Sequence, residues 1–203
     1  IQVRRTANLW RAGSRGADLR QITFMSAEDG AVAQFEPTQD GSVIFTGTRE
    51  GGRTLWFVDR DGSDPRPITQ RSRIAANPMY RAGGRIVFML ADDNLRNHLW
   101  GADVDGGNAT QLTQGQGEFL LDVSPDGNTA LFVPHTTLDT LWSVSTRGGR
   151  PVSLGRTHRL SAMFSPDGSR VFHLVPTGGP DSRDLVSTII SSSGRGPVVT
   201  PKL

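Results

Sequence analysis

The fold is decided by one stretch of the sequence, LWGADVDGGNATQLT, which occupies residues 99–113. It joins a Leu-Trp pair, an Asp-Gly turn and a final aliphatic-threonine pair. A glycine stands seven residues after the first leucine, and a second aliphatic residue stands thirteen residues after it. Because Gly adopts positive φ and Asp bonds to nearby backbone, the centre of the stretch is predicted to be a tight turn between two short strands.

The same features recur in four copies with a nearly constant period. The Leu-Trp pairs begin at residues 9, 55, 99 and 141, so they lie 46, 44 and 42 residues apart. A second turn and an aliphatic burst come before each pair from the second copy onward, and the turn is clearest in the sequence Ser-Pro-Asp-Gly at 124–127 and 165–168. In the last copy, Leu185-Val186 stands where the others have Leu-Trp. Four short extended segments in a repeat of this length predict the four-stranded antiparallel blade of a β-propeller.

The apolar segments indicate how the blades pack. The segment Leu55-Trp56-Phe57-Val58 is apolar at every position, whereas a strand exposed on one face would alternate. The predicted fold is therefore an all-β propeller domain over residues 1–203, with four full repeats and one half repeat. The half blade is predicted at 1–24, and the full blades at about 25–69, 70–113, 114–155 and 156–203.

With its Ser-Pro-Asp-Gly, Leu-Trp, Asp-Gly-Gly and Gln-Leu-Thr elements, the repeat resembles the TolB-type β-propeller repeat. The resemblance extends from Leu9 to about Thr200 and is specific for the fold. It implies a propeller of about six or more blades. The chain is therefore expected to be part of a larger propeller, or to associate through an open edge. The resemblance also implies a bacterial protein in the periplasm or another extracytoplasmic location.

The resemblance is compatible with three classes of function. Repeats of this family occur in TolB-like proteins, in the propellers of prolyl-oligopeptidase-like enzymes and in sensor portions of larger bacterial proteins. The first expectation is a non-catalytic module that recognises a protein or peptide through the loop face of the propeller. The alternative is the gating propeller of a prolyl-oligopeptidase-like serine peptidase whose catalytic domain lies outside this chain. A propeller lyase with a metal in its channel is a third class.

Composition argues against several other classes. The pI is near 9.9, but the formal net charge is only +2, and Lys202 is the single lysine among 22 basic residues. The acidic and basic residues are interspersed, whereas nucleic-acid binding requires a clustered basic stripe. The chain has no cysteine, which excludes disulfides and thiolate chemistry. No apolar run approaches the roughly 18 residues of a membrane span.

The known catalytic motifs do not occur in the sequence. There is no Gly-X-Ser-X-Gly elbow, no His-Glu-X-X-His and no phosphate loop. The Asp-rich segments 59–64 and 103–108 resemble half of a calcium loop, but neither is followed by the bidentate acid that such a site needs. The sequence therefore predicts no catalytic residue, metal or cofactor.

Candidate partner-binding residues lie in the connections between the second and third strands of a blade and between one blade and the next. In a propeller these connections share one face, and loops on a rigid scaffold concentrate binding residues. The arginines of the connections between blades, Arg71, Arg73, Arg156 and Arg159, are expected to converge on one anion site, and a solvated polar rim is the alternative. The predicted residues are Arg71, Arg73, Asp92, Asp93, Arg96, His98, His135, Arg156, His158 and Arg159.

Overall fold

The architecture is all-β, as predicted. The computed structural model describes residues 7–25, 32–49, 52–69, 74–81, 83, 85–177, 183–189 and 198–200. Within these ranges the chain forms one two-stranded sheet and four four-stranded sheets, and each sheet is an antiparallel meander in chain order. None of the described residues forms a helix, so none forms an apolar helix long enough to cross a membrane.

The strands follow one another with short connections. The two-stranded sheet consists of β1 (Trp10–Arg11) and β2 (Arg20–Gln21). The first full sheet consists of β3 (Val32–Pro37), β4 (Val43–Arg49), β5 (Gly52–Val58) and β6 (Arg66–Pro67). The second consists of β7 (Ala75–Tyr80), β8 (Arg85–Ala91), β9 (Asn97–Asp103) and β10 (Thr110–Gln111). The third consists of β11 (Glu118–Val123), β12 (Thr129–Pro134), β13 (Thr140–Ser145) and β14 (Val152–Arg156). The fourth consists of β15 (Ala162–Phe164), β16 (Arg170–Pro176), β17 (Arg183–Ile189) and β18 (Val198–Thr200).

The Leu-Trp pair has the same register in three sheets. Its tryptophan stands opposite a phenylalanine of the preceding strand, as in the pairs Phe45–Trp56, Phe88–Trp100 and Phe132–Trp142. Cross-strand aromatic pairs of this kind stabilise a sheet. The fourth sheet has Leu185 and Val186 on β17 in place of Leu-Trp, yet it also has four strands. Loss of the tryptophan therefore does not prevent formation of the blade.

The threonine of the aliphatic-threonine pair has a structural role in three of the repeats. Its Oγ1 accepts a hydrogen bond from the backbone N–H of the leucine in the Leu-Trp pair, at 2.8 Å for Thr23, 3.0 Å for Thr69 and 2.9 Å for Thr113. The side chain satisfies a strand N–H, which is costly to leave unpaired when buried. This bond explains why an aliphatic-threonine pair follows the turn at a fixed distance.

The core is a series of apolar layers, each lying between two neighbouring sheets. One cluster joins Leu55 of the first full sheet to Phe88 of the second, and another joins Leu99 of the second to Phe132 of the third. Every residue of β8 is buried, so this strand is covered on both faces, as its continuous apolar sequence predicts. The tryptophans Trp56, Trp100 and Trp142 are half-buried and pack against these clusters.

The Asp-Gly turns also bring neighbouring sheets together. Gly106 has φ +85°, and a Cβ at this position would lie 2.7 Å from the carbonyl oxygen of Ile68 in the preceding sheet. Only glycine fits both the left-handed backbone and this close approach. The carboxylate of Asp105 accepts a hydrogen bond from the backbone N–H of Gly107 within the same turn. The aspartate thus stabilises the turn, as is usual for Asp at such positions.

A polar chain links the four full sheets at their first strands. The guanidinium of Arg81, just after β7, lies 2.5 Å from a carboxylate oxygen of Glu36 on β3 and 3.4 Å from one of Asp122 on β11. The other oxygen of Asp122 accepts a hydrogen bond from the backbone N–H of Phe164 on β15. The strands β3, β7, β11 and β15 contact one another in this order, which is the arrangement of innermost strands in a propeller.

Candidate functional site

The connections predicted to form one face do meet in the structure. We call the segments 92–96, 114–117, 135–139 and 156–161 together the loop face. The backbone N–H of His135 donates to the carbonyl oxygen of Gly117 at 2.8 Å, and the N–H of Thr157 donates to that of Asp139 at 2.8 Å. In both of these described connections between sheets, the backbone is therefore hydrogen-bonded to a connection within a sheet.

A buried histidine connects the elements around segments 92–96 and 114–117, which form the first half of the loop face. His98 is 7% exposed and Glu118 is 4% exposed, and the Nδ1 of His98 lies 3.1 Å from the Oε2 of Glu118. The Nε2 of the same ring lies 3.4 Å from the Oδ2 of Asp92. Thr113 donates its hydroxyl to Glu118 at 2.7 Å. With both ring nitrogens engaged, His98 ties the β8–β9 connection to the start of β11 rather than facing solvent.

Asp92 shapes its own connection. Its Oδ1 accepts hydrogen bonds from the backbone N–H groups of Asn94 and Arg96, at 2.9 and 2.8 Å. The bond from Arg96 is the main cause that lowers the pKa of Asp92, because these donors favour the ionised carboxylate. Asp92 is thus a structural residue of the loop, while Asp93 beside it is exposed.

Two exposed side chains stand next to this buried network. The Cβ atoms of Arg96 and His135 both lie close to Gly117, where an added Cβ would be 3.7 Å from the first and 3.6 Å from the second. The ring of His135 packs edge-on against Phe119, with 5.0 Å between the ring centroids. The structure therefore brings together a cation and an aromatic pair at the β10–β11 connection.

The second half of the face lies between the third and fourth full sheets. Segment 157–161 is anchored on both sides, because Arg159 N–H donates to Leu138 and His158 N–H donates to Leu174, at 2.8 and 2.7 Å. Thr157 is 1% exposed, and its hydroxyl donates to the same carbonyl of Leu174 at 3.3 Å. The exposed side chains of Arg156 and Arg159 project from this anchored backbone.

The electrostatics of this half are positive. The pKa of His158 is lowered, first by partial desolvation and then by the positive charges of Arg183 and Arg159. Hydrogen bonds from Thr137 and Thr140 lower the pKa of Asp139, and the positive charge of Arg156 adds a smaller effect. Guanidinium groups from the end of β14, from the connection after it and from the start of β17 thus act on this half of the face.

The predicted site residues accordingly form two groups. Asp92, Arg96, His98 and His135 meet around Gly117, and Arg156, His158 and Arg159 meet at the third and fourth sheets. Arg71 and Arg73 lie outside the described residues, so their expected convergence with the other arginines stays a prediction. Sequence reasoning missed Glu118 and Arg183, each of which begins a strand, and Thr113, which lies between β10 and β11.

The described part of the chain contains no group of three or more His, Asp or Glu side chains arranged to hold a metal ion. Of the carboxylates in the loop face, Asp92 bonds to backbone N–H groups and to His98, and Asp139 accepts a hydrogen bond from Thr140. The chemistry that this face offers is charged and aromatic contact with a ligand.

Fold and site together define a β-propeller domain with a hydrogen-bonded, polar loop face. No family model matches the sequence, and no curated protein matches it. Solved structures are similar in fold. An oligogalacturonate lyase in complex with manganese has a TM-score of 0.66 at 15% identity over 92% of this chain. TolB from Acinetobacter baumannii has a TM-score of 0.60 at 20% identity over 91% of this chain. A puromycin-hydrolyzing peptidase from Mycobacterium tuberculosis has a TM-score of 0.66 at 15% identity over 95%.

These similarities confirm the propeller fold and the structural resemblance to TolB that the repeat predicts. The chain spans 55% of the lyase, 45% of the Acinetobacter TolB and 35% of the peptidase. One propeller fold hosts binding proteins, lyases and peptidases, so the fold does not select among them.

Proposed function

We propose that this chain is a non-catalytic binding module that recognises a protein or peptide through its loop face. The observation that carries the proposal is the set of backbone hydrogen bonds that hold the connections of that face. The bond from His135 to Gly117 extends the third sheet into the face, and the bond from His158 to Leu174 joins the face to the fourth sheet, while Arg96 and His135 remain exposed. A surface already held in one conformation binds without the entropic cost of ordering its loops.

The proposed binding module is the whole predicted domain, residues 1–203, with the blades at the limits given by the sequence. Several of the exposed large apolar side chains lie on or beside the two-stranded sheet and on the fourth full sheet: Trp10 on β1, Phe24 just after β2, Met163 on β15 and Leu185 on β17. Exposed apolar surface of this kind supports the expected association through the first and last sheets.

A selection from a random peptide library displayed on phage tests the proposal. The wild-type chain is the bait, and selected peptides are measured against two variants. In the first, Arg96, His135, Arg156 and Arg159 are all replaced by Ala. In the second, the control, Arg147 and Arg150 are replaced by Ala, because these exposed arginines lie at the opposite end of the third sheet.

Selected peptides are expected to bind the loop-face variant at least about tenfold more weakly and the control variant with unchanged affinity. Peptides that lose affinity only for the control variant would place the binding surface at the opposite end and contradict the proposal. A failure to select any peptide would also count against it.

The gating propeller of a serine peptidase is a second candidate. It is supported by the similarity in fold to the puromycin-hydrolyzing peptidase, of which this chain spans 35%. A hydrolase domain with a Gly-X-Ser-X-Gly elbow in the same polypeptide would select this candidate. A kinase or winged-helix domain would instead select the sensor form of the binding module.

A further inference from the structure

A cavity of about 320 Å³ lies between the first and second full sheets. We propose that this cavity binds a small, uncharged aromatic molecule of about two fused rings. None of the described residues that line it belongs to the loop face, so the inference goes beyond the proposed function and does not depend on it. The lining residues that carry the argument are Ile68, Phe88, Leu90, Trp100, Ala102 and Ala109.

Two small side chains contribute to the size of the cavity. Ala102 lies three residues after the leucine of its Leu-Trp pair, where the first full sheet has Val58. Ala109 lies ten residues after the same leucine, where the first full sheet has Pro65. Val58 and Pro65 line the equivalent cavity beside the first full sheet, which has a volume of only about 200 Å³. The second sheet therefore leaves more space at the same position of the repeat.

The cavity is enclosed on one side and reaches solvent on the other. Phe88, Leu90 and Ala102 are buried, whereas Trp100 is half-buried and Ala109 is exposed. A ligand can therefore enter from the side of Ala109 without separating the two sheets. Pockets that bury most of a small ligand against apolar and aromatic side chains are the usual sites of such binding.

The volume and the rings of the cavity suit a bicyclic aromatic ligand. An apolar cavity of about 150 Å³ in a protein core stays dry and binds benzene, so a cavity of about 320 Å³ offers space for a second ring. Phe88 and Trp100 stand opposite each other on β8 and β9, and both line the cavity. Aromatic rings attract one another in offset-stacked and edge-to-face arrangements, which favours an aromatic ligand over an aliphatic one.

The lining also determines the charge of the ligand. None of the described residues around the cavity carries a charge. Its one hydroxyl group, on Thr69, already accepts a hydrogen bond from the backbone N–H of Leu55 at 3.0 Å. An ionised ligand would lose its hydration in this cavity without gaining an opposite charge, which is costly. The ligand is therefore an uncharged molecule.

Fluorine NMR of a fluorinated indole tests the inference on the full chain. The fluorine signal of the probe is expected to broaden on binding, with a Kd on the order of 0.1–1 mM for a ligand of about ten non-hydrogen atoms. Unlabelled indole is expected to restore the narrow signal, and n-octanol at the same concentration is not. Absence of saturable broadening would overturn the inference, and equal displacement by n-octanol would overturn the aromatic class of the ligand.

A variant that fills the cavity tests its location. The double substitution Ala102→Val and Ala109→Pro introduces the residues of the smaller cavity. Proline is compatible with the backbone, because Asn108 has φ +50° and Asp64, which precedes Pro65, has the same φ. The variant is expected to bind the probe at least about threefold more weakly and to keep its Tm, since the added atoms occupy empty space. Unchanged affinity would contradict the location.

Removal of the indole provides a second test with a matched control. In Trp100→Val the new residue is the one that the fourth sheet has at this position, Val186, and that sheet also forms four strands. The control Trp56→Val changes the smaller cavity in the same way. We expect Trp100→Val to weaken probe binding at least about fivefold and Trp56→Val to change it by less than about twofold. Equal weakening by both variants, or weakening by Trp56→Val alone, would overturn the inference.

Discussion

The substitution Phe88→Ala is expected to lower the free energy of unfolding by about 3–5 kcal/mol, the range for truncation of a buried phenylalanine. Phe88 is 2% exposed. It stands opposite Trp100 in the second full sheet and packs in the cluster shared with the first full sheet. Its removal therefore weakens a sheet and an inter-sheet layer together. Urea unfolding followed by tryptophan fluorescence measures the loss.

The matched control for this substitution is Phe35→Ala. Phe35 lies on β3 and is 60% exposed, so its truncation should change the free energy of unfolding by less than about 0.5 kcal/mol. Similar losses for Phe88→Ala and Phe35→Ala would mean that the layers between sheets are not the source of stability.

The substitution Arg85→Met is expected to cost about 2–4 kcal/mol, because removal of one partner leaves buried polar groups without bonds. Arg85 is 8% exposed, and its guanidinium donates to Asp103 at 2.9 Å. It also donates to the carbonyl oxygens of Asn108 and of Thr146, at 3.2 Å each, and the second bond crosses to the third sheet. The free energy of unfolding in urea reports the effect.

An exposed ion pair supplies the comparison for Arg85→Met. Asp64 and Arg66 are joined at 2.6 Å with much of both side chains in solvent. Asp64→Asn should therefore cost less than about 1 kcal/mol, and asparagine tolerates the φ of +50° at this position. If Arg85→Met lowers the free energy of unfolding no more than Asp64→Asn does, the buried guanidinium does not stabilise the contact between the two sheets.

The fold followed from the sequence because each signal of the repeat has a local cause. The register of Leu-Trp reflects an aromatic pair such as Phe88–Trp100, and the glycine of the turn reflects a left-handed backbone against the preceding sheet, as at Gly106. A residue type repeated at one register in every blade predicts a buried core position, but Trp56, Trp100 and Trp142 are only half-buried. Trp100 lines a cavity of about 320 Å³ between the first two full sheets, so the packing there is incomplete.

The site was harder to predict, because the roles of its residues depend on contacts between sheets. His98 was expected to contact a partner, yet it is enclosed between Asp92 and Glu118. No local pattern marks Glu118 as its partner, since the two are separated by a strand and a turn. Arg183 was not predicted for the same reason, because it begins a strand and comes near His158 only in the folded chain.

The central claim is that the loop face is the binding surface, and mapping of backbone amide chemical shifts by NMR tests it most directly. The isotope-labelled chain is titrated with a peptide selected from the library. The account predicts that the largest shifts fall in residues 92–96, 114–117, 135–139 and 156–161. The contradicting result is that the largest shifts fall in the turns at the opposite end, which are residues 38–41, 60–63, 104–107, 125–128 and 147–150.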